Sequence, residues 1–347
     1  MFGFESRIVS ELTKFERKEV EALLARFGLI YEGTPDRTAL VEDPDERIVA
    51  TASIEGDVVK MVAADPQWQE AGLAGTVISR ILEYASGNRI FHLFVYTKPD
   101  MAEKFASLGF RELAKTASVV LMESGRPSAS DFRESIEKEK FTSGADFGAI
   151  VMNCNPFTLG HRYLIETAAK RCGGLYVIVV REDASAFPFG ERLELVRRGT
   201  EDIPGVKILS SGGYAVSRAT FPTYFLKDRG AEAVAGTQAE LDVTLFANLF
   251  VPALGVARRF VGTEPFCATT RIYNEKMKAV LPPRGVEIIE IPRITDAGGE
   301  FISASRVRAA IAVGDTETLR KLLPQSTLDY LASGAGRAVA RKLREER

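Results

Sequence analysis

Hydrophobic and polar positions along residues 1–123 alternate in a pattern that predicts a mixed α+β domain. Short apolar runs bounded by acidic or glycine-containing turns indicate strands, and apolar positions spaced three to four apart indicate helices. The predicted strands are 38–43, 47–56, 57–65, 89–97 and a pair within 110–124. The predicted helices are 15–28, 71–87 and 100–109.

Residues 124–145 are polar, with the composition of a linker that contains one charged helix. After them the pattern changes to continuous apolar strands that alternate with helices, which is typical of a parallel sheet covered on both faces. The predicted strands are 147–153, 175–180, 206–210, 231–236, 258–262 and 286–292. The predicted helices are 159–173, 190–202, 220–230 and 241–255. We therefore expect an α/β chain with two domains, at 1–123 and 146–347.

Composition excludes several classes of function. The 347 residues are 46% hydrophobic and 27% charged, with a formal net charge of −2, so no general attraction to nucleic acid or to an anionic membrane is expected. No apolar stretch has the length of a membrane span, and we expect a cytoplasmic protein. Three cysteines and two histidines, all isolated, predict neither a disulfide framework nor a metal site.

The run 155–161, NPFTLGH, directly follows a predicted buried strand and leads into a helix. Thr158, Gly160 and His161 are therefore expected at the carboxyl edge of the sheet, where ligands bind in such folds. Free N–H groups at the helix start suit a phosphate, and a glycine lets a nucleotide approach the backbone. The alternative is that His161 only caps the helix.

A second candidate is the run 302–308, ISASRVR, at the start of a later helix. Ser303, Ser305 and Arg308, with free N–H groups on the same turn, could form a cradle for a polyphosphate. Ser303 alone would be an ordinary helix cap. Because both runs follow strands of one predicted sheet, they could face one pocket.

These runs resemble two motifs of the nucleotidyltransferase superfamily. TLGH (158–161) is similar to its [HT]-x-G-H motif, and ISASRVR is similar to its I-S-x-S-x-x-[KR] motif. Residues 217–228, 252–277 and 302–308 resemble the citrate lyase ligase family in particular, and the resemblance extends over most of the chain. It implies a Rossmann-like nucleotidyltransferase domain, with a helical tail at its end, after the linker.

The resemblance also implies site residues. Thr158 and His161 would contact ATP around the α-phosphorus, with a threonine in place of the commoner histidine, and Arg308 would join Ser303 and Ser305 on the β- and γ-phosphates. Mg²⁺ would bridge the phosphates, although the sequence suggests no protein ligands for it. The loop 262–264 borders the nucleotide or is shaped for packing alone. The implied nucleotide-binding set is Asn155, Pro156, Phe157, Gly160, Gly262, Thr263, Glu264, Ser303 and Ser305.

The first half of the chain resembles a GNAT N-acyltransferase. QEAGLAG, at 69–75, is similar to the [QR]-x-x-G-x-[GA] loop that grips the pyrophosphate of coenzyme A between the fourth strand and its helix. On this resemblance Gln69, Gly72, Ala74 and Gly75 are cofactor-binding residues. The two glycines could instead permit close packing of the helix on the sheet.

Together the resemblances imply an acid–thiol ligase. Its substrates would be ATP, acetate and the acyl carrier (gamma) subunit of citrate lyase, whose dephospho-coenzyme-A-like prosthetic group carries the thiol, and an acetyl-adenylate would be the intermediate. Three alternatives stay open. They are an adenylyltransferase of the nicotinamide mononucleotide or phosphopantetheine type with an appended acetyltransferase, a GNAT-like domain that only docks the carrier, and a regulatory nucleotide-binding protein.

Overall fold

The computed structural model describes residues 3–181, 185–216, 221–226, 230–264 and 268–345, without the side chains of Gln69 and Ala268. The chain forms two compact units. Residues 1–132 and 216–244 make up the first unit, and residues 133–215 and 245–347 make up the second. The segment 216–244 thus belongs by its contacts to the first unit, whereas the pattern along the sequence placed it in the second domain. The boundaries at 123 and 146 stay a prediction.

The first unit is built on a mixed sheet that has seven strands within the described residues, in the order β1-β2-β3-β4-β5-β7-β6. All neighbours are antiparallel except β4 and β5. The strands are β1 Glu5–Val9, β2 Arg37–Glu42, β3 Ile48–Glu55, β4 Val58–Ala64, β5 His92–Thr97, β6 Arg111–Lys115 and β7 Val120–Gly125. Only β1 was not expected from the sequence.

Local signals in the sequence set the helices of this unit. Thr13 and Glu16 form a capping box at the start of the first helix, and Gly72 precedes the second with φ at +66°, a left-handed conformation that favours glycine. The helices are α1 Lys14–Ala25, α2 Leu73–Gly87 and α3 Ala102–Ser107, followed by α4 Ala129–Glu137 at the boundary of the two units. The charged helix expected in 124–145 is thus α4.

The second unit contains a parallel sheet, which confirms the expected α/β class. Among the described residues it has five strands, in the order β10-β9-β8-β11-β12. The strands are β8 Phe147–Met152, β9 Leu175–Val179, β10 Val206–Ser210, β11 Val256–Gly262 and β12 Glu287–Ile291. Because β8 is flanked by β9 and β11, the strand order reverses at β8, and such a reversal opens a crevice at the carboxyl ends of the strands.

The helices of the second unit pack their apolar residues against the sheet and against one another. Buried side chains of β8, β9 and α5 share one core with those of α9 and α12. The helices are α5 Leu159–Ala169, α6 Phe189–Arg198, α7 Ala231–Leu254, α8 Ala268–Val280, α9 Ala304–Val313, α10 Thr316–Leu322, α11 Gln325–Ala332 and α12 Gly334–Glu345. The start of α7 lies in the first unit and its end in the second.

Two predictions around residues 220–236 are wrong. The expected strand 231–236 is the beginning of α7, a helix of 24 residues, because alanine and glutamate favour a helix when no neighbouring strand pairs with them. The expected helix 220–230 is not helical in its described part, residues 221–226 and 230. Pro222 lacks the N–H of a helix interior, and four of the neighbouring side chains are buried.

Close packing around β8 gives a testable consequence for stability. A Cβ on Gly148 would lie 2.5 Å from Phe260 Cε2 and 3.0 Å from Cys172 Sγ. We therefore expect Gly148→Ala to lower the free energy of unfolding by about 1–3 kcal/mol, measured by urea denaturation. Gly190→Ala is the matched control, because a Cβ there meets nothing within 4 Å and lies in the first turn of α6. Equal stability of the two variants would contradict this account.

Candidate active site

A cavity of about 390 Å³ lies at the carboxyl ends of β8, β11 and β12. Its position is the point of strand reversal at which parallel sheets bind ligands. The predicted nucleotide residues that line it are Thr158, Gly160, His161, Gly262, Glu264, Ser303 and Ser305. The structure thus brings both sequence motifs and the loop after β11 to one cavity.

Thr158 and His161 form a reciprocal cap at the start of α5. The Thr158 hydroxyl accepts a hydrogen bond from the His161 backbone N–H at 3.3 Å, and His161 Nδ1 accepts one from the Thr158 backbone N–H at 3.1 Å. Since Nδ1 accepts from an N–H, a neutral ring carries its proton on Nε2. The capping role weighed from the sequence is therefore present, and it makes His161 a hydrogen-bond donor through Nε2.

The cavity keeps His161 uncharged at neutral pH. Burial lowers the pKa of His161 to about 4, and the positive charge of Arg293 acts in the same direction. A neutral imidazole donates one hydrogen bond to an anionic ligand without carrying a full charge.

The start of α9 forms a second polar wall. The Ser303 hydroxyl accepts the Arg306 N–H at 3.2 Å as an ordinary cap, and Ser305 Oγ accepts from Arg308 Nη2 at 3.2 Å. Arg308 Nη1 also donates to the Asn155 carbonyl at 2.5 Å, and burial lowers the pKa of Arg308. Arg308 does not line the cavity, so in this structure it joins the loop after β8 to α9.

An ion pair between Glu264 and Arg293 also lines the cavity. Arg293 follows the end of β12 closely, and its backbone N–H donates to Thr263 Oγ1 at 3.3 Å. Sequence reasoning missed Arg293. Its signal was an arginine just beyond the carboxyl end of a parallel strand, at the same edge of the sheet as the predicted residues after β8.

The predicted residues that precede Thr158 do not line the cavity. Phe157 is fully buried, with its ring stacked at 6.0 Å from that of His161. The Asn155 side chain accepts the Phe187 N–H at 3.0 Å, and Pro156 is buried. Gly160 lines the cavity, but a Cβ on it would lie 3.1 Å from the Ile302 carbonyl. A side chain here would press against the Ile302 backbone, and a close approach of a nucleotide to Gly160 stays a prediction.

In the first unit, the predicted coenzyme-A loop lies between β4 and α2, as the resemblance implied. A Cβ on Gly72 would meet nothing within 4 Å, so its conformation rather than its packing favours glycine, and a Cβ on Gly75 would be 3.7 Å from Leu108. Ala74 lines a separate cavity at the ends of β4 and β5. The Gln69 side chain lies outside the described part of the chain.

Other features of the described residues limit the chemistry. Cys154 is buried, which raises the pKa of its thiol and makes it a poor nucleophile. No group of three or more His, Cys, Asp or Glu side chains in the described ranges could hold a metal ion. Within the same ranges, no helix combines the length and the apolar character needed to cross a membrane.

The fold and the cavity define an α/β protein with a candidate ligand site at the strand reversal. Residues 147–331 match the family model described as the citrate lyase ligase C-terminal domain. The [citrate [pro-3S]-lyase] ligase of Escherichia coli K12 is 40% identical over 342 residues, which is 95% of each chain. The ligase of Klebsiella pneumoniae with the same name is 37% identical over 92% of this chain and 93% of its own.

Two solved structures align with about a third of the chain. Escherichia coli ElaA is 17% identical and covers 36% of this chain and 99% of its own, with a TM-score of 0.30. A GNAT-family acetyltransferase from Staphylococcus aureus Mu50 is 13% identical and covers 35% of this chain and 99% of its own, also with a TM-score of 0.30.

From the family model and the two long alignments it follows that the chain belongs to the citrate lyase ligase family. It is therefore an enzyme of the ligase class.

The lowered pKa of His161 predicts how stability depends on pH. The ordinary pKa of a histidine is 6.5, and the pKa of His161 in the folded protein is about 4. Between pH 4 and 6.5, His161 therefore binds a proton in the unfolded chain but not in the folded one. Stability is therefore unaffected by this residue above pH 6.5 and falls as the pH drops from 6.5 to 4. We expect His161→Gln to reduce that fall by roughly 1–2 kcal/mol, measured by denaturation across this range. Parallel curves for the two proteins would contradict the assignment.

Proposed function

We propose that this enzyme uses ATP to attach acetate to the thiol of the citrate lyase acyl carrier subunit. The overall reaction converts ATP, acetate and the thiol to AMP, pyrophosphate and the acetyl thioester. Relatives of this chain over nearly their whole length are named ligases of citrate lyase, which supports the choice of acceptor. The main observation behind the proposal is that the first residues of α5 and α9, together with His161, line one cavity at the edge of the parallel sheet.

In the proposed first step, a carboxylate oxygen of acetate attacks the α-phosphorus of ATP. The bond between this phosphorus and the bridging oxygen breaks, pyrophosphate leaves, and acetyl-adenylate remains. In the second step the carrier thiol attacks the acetyl carbonyl, AMP leaves with the carboxylate oxygen, and the thiol loses its proton. The chain needs to position the reactants and stabilise the developing negative charge more than it needs to supply a nucleophile.

The N–H groups at the start of α5 and the His161 Nε2–H are the donors we assign to the α-phosphate. The N–H groups and hydroxyls at the start of α9, with Ser303 and Ser305, are assigned to the β- and γ-phosphates. Arg308 keeps these two groups of donors together through its bonds to Asn155 and Ser305. The described residues include no group of His, Cys, Asp or Glu side chains that could bind a metal ion. We therefore assign Mg²⁺ to the complex that it forms with the phosphates of ATP.

The charges of the cavity favour acetate over a phosphate-bearing acceptor. Among the described residues that line it, the one cationic side chain is Arg293, and Glu264 already pairs with it. A nicotinamide mononucleotide or phosphopantetheine acceptor would bring a further phosphate, which needs a cation of its own. A small carboxylate needs little more than space and a few N–H donors.

The first unit is assigned to the carrier's prosthetic arm. Its cavity lies at the carboxyl ends of β4 and β5, beside the start of α2. Free N–H groups after Gly72 suit the pyrophosphate of a coenzyme-A-like group, and the apolar wall suits the chain that follows it. We assign no residue as the base that takes the thiol proton.

Acetate-dependent release of pyrophosphate from ATP tests the first step directly. We expect His161→Ala to lower this rate by roughly 10²- to 10³-fold, because the variant loses a donor to the charge that develops at the α-phosphate. His92→Ala is the matched control, since His92 bonds to Glu123 at 2.7 Å in the first unit and does not line the cavity. Equal rates in both variants, or release driven by phosphate-bearing acceptors rather than acetate, would contradict the proposal.

The two serines at the start of α9 are expected to have different roles, one in stability and the other in binding. Ser303 accepts a backbone N–H as a cap, so Ser303→Ala should lower the free energy of unfolding by about 1 kcal/mol. The Ser305 hydroxyl accepts from the Arg308 side chain and not from a helix N–H within the described residues, so Ser305→Ala should weaken ATP binding several-fold with little change in stability. Calorimetric titration with ATP and thermal denaturation measure the two effects. An unchanged ATP affinity in Ser305→Ala would remove that residue from the phosphate site.

A further inference from the structure

Strands β4 and β5 of the first unit separate soon after they meet. They pair only at Val58 with Phe94 and at Val59 with Val95, while each strand continues beyond these positions. Between their carboxyl ends lies a cavity of about 190 Å³. Its walls include Val62, Ala74, Thr97, Phe105, Tyr224 and Phe225. A gap between two strands exposes backbone groups to which an extended ligand chain can bond.

Residues 221–226, which we call the strap, cover one side of this cleft. The strap is fastened by its own hydrogen bonds, because the Thr223 N–H and hydroxyl both donate to Glu32 Oε2, at 2.7 and 2.6 Å. The Tyr224 carbonyl accepts the Ile30 N–H at 2.9 Å. Tyr224 and Phe225 are 5% and 6% exposed, so the strap is part of the unit's packed interior.

The Tyr224 hydroxyl closes the inner end of the cleft. It donates to the Tyr96 carbonyl of β5 at 2.9 Å. Burial raises the pKa of Tyr224, which keeps the hydroxyl protonated and a donor. Tyr96 directly follows Val95, the last paired position of β5, so this hydroxyl bonds to the first residue of β5 beyond the paired part of the ladder. Because the Tyr224 side chain also lines the cavity, a ligand that fills the space between the strands contacts it.

The remaining space suits the end of one ligand arm. Cavities that hold a whole small molecule usually measure about 300–1,000 Å³, and this one is smaller. An enzyme that transfers an acyl group from a thioester to a free amine must accommodate both reactants at this point. With the strap in place, the described part of the cleft has room for only one of these two reactants.

We infer that the strap makes the cleft a receptor for a single thiol-bearing arm, with Tyr224 setting how long an acyl group on that thiol can be. Tyr224 is thus a specificity-determining residue for short acyl groups. This inference rests on the proposed function only in assigning the arm to the first unit. It does not depend on which acid the second unit activates.

Calorimetric titration of the full chain with acetyl-coenzyme A and butanoyl-coenzyme A tests the inference. The wild type should bind the acetyl form roughly tenfold or more tightly, because the two added methylenes meet the Tyr224 ring. Tyr224→Ala opens that space and should bring the two affinities to within about twofold. Tyr224→Phe keeps the ring and should retain the preference. Tyr31→Ala is the matched control, since Tyr31 packs under Arg17 and does not line the cavity.

Equal affinities in the wild type, binding of neither compound, or an unchanged preference in Tyr224→Ala would each overturn the inference. The wild-type preference can overturn it even when Tyr224→Ala does not fold. Acetate-dependent pyrophosphate release, measured on the same samples, reports on the second unit. Its absence alongside a clear acyl preference contradicts the proposed ligase reaction and leaves the role of the strap standing.

Discussion

The hydrogen bond from the Thr158 N–H to His161 Nδ1 determines what the cavity of the second unit can do. It occupies one ring nitrogen and places the proton of a neutral imidazole on the other. Burial and the charge of Arg293 keep the ring neutral, so the cavity holds a donor of fixed orientation rather than a titrating cation. The same bond ends the loop after β8 and begins α5. The chemistry of the site and the geometry of the helix therefore have one cause.

That bond forms only if the loop after β8 keeps its conformation. Buried side chains outside the cavity hold this loop in place. Arg192 is fully buried, and its Nη1 donates to the Asn153 carbonyl at 2.6 Å and to the Val180 carbonyl at 2.9 Å. It thus joins the ends of β8 and β9. Thr327 donates to the Phe157 carbonyl at 2.9 Å from the other side. Carbonyl groups left without partners here would be costly, which explains polar side chains in an otherwise apolar core.

Features with a local cause could be predicted from the sequence, and features with a distant cause could not. The apolar run of β8, the cap at Thr158 and the cap at Ser303 each depend on residues a few positions apart, and the structure has them where the pattern indicates. Arg293 joins the cavity through the order of strands in the sheet, which no local pattern contains. The segment 231–236 has an apolar pattern compatible with a strand or a helix, and only the length of α7 separates the two.

Because Tyr224 belongs to the first unit, that unit extends beyond the region that the sequence pattern assigned to it. By pattern alone the GNAT-like region ends near residue 123, yet Tyr224 bonds to Tyr96 and lines the cleft of that region. A fragment that stops at the linker would lack the strap and would leave the Tyr96 carbonyl without the Tyr224 hydroxyl. Weak or unselective binding of coenzyme A by such a fragment would therefore reflect a cleft without its inner wall. Whether the first unit is a receptor for the carrier arm must be decided on the full chain.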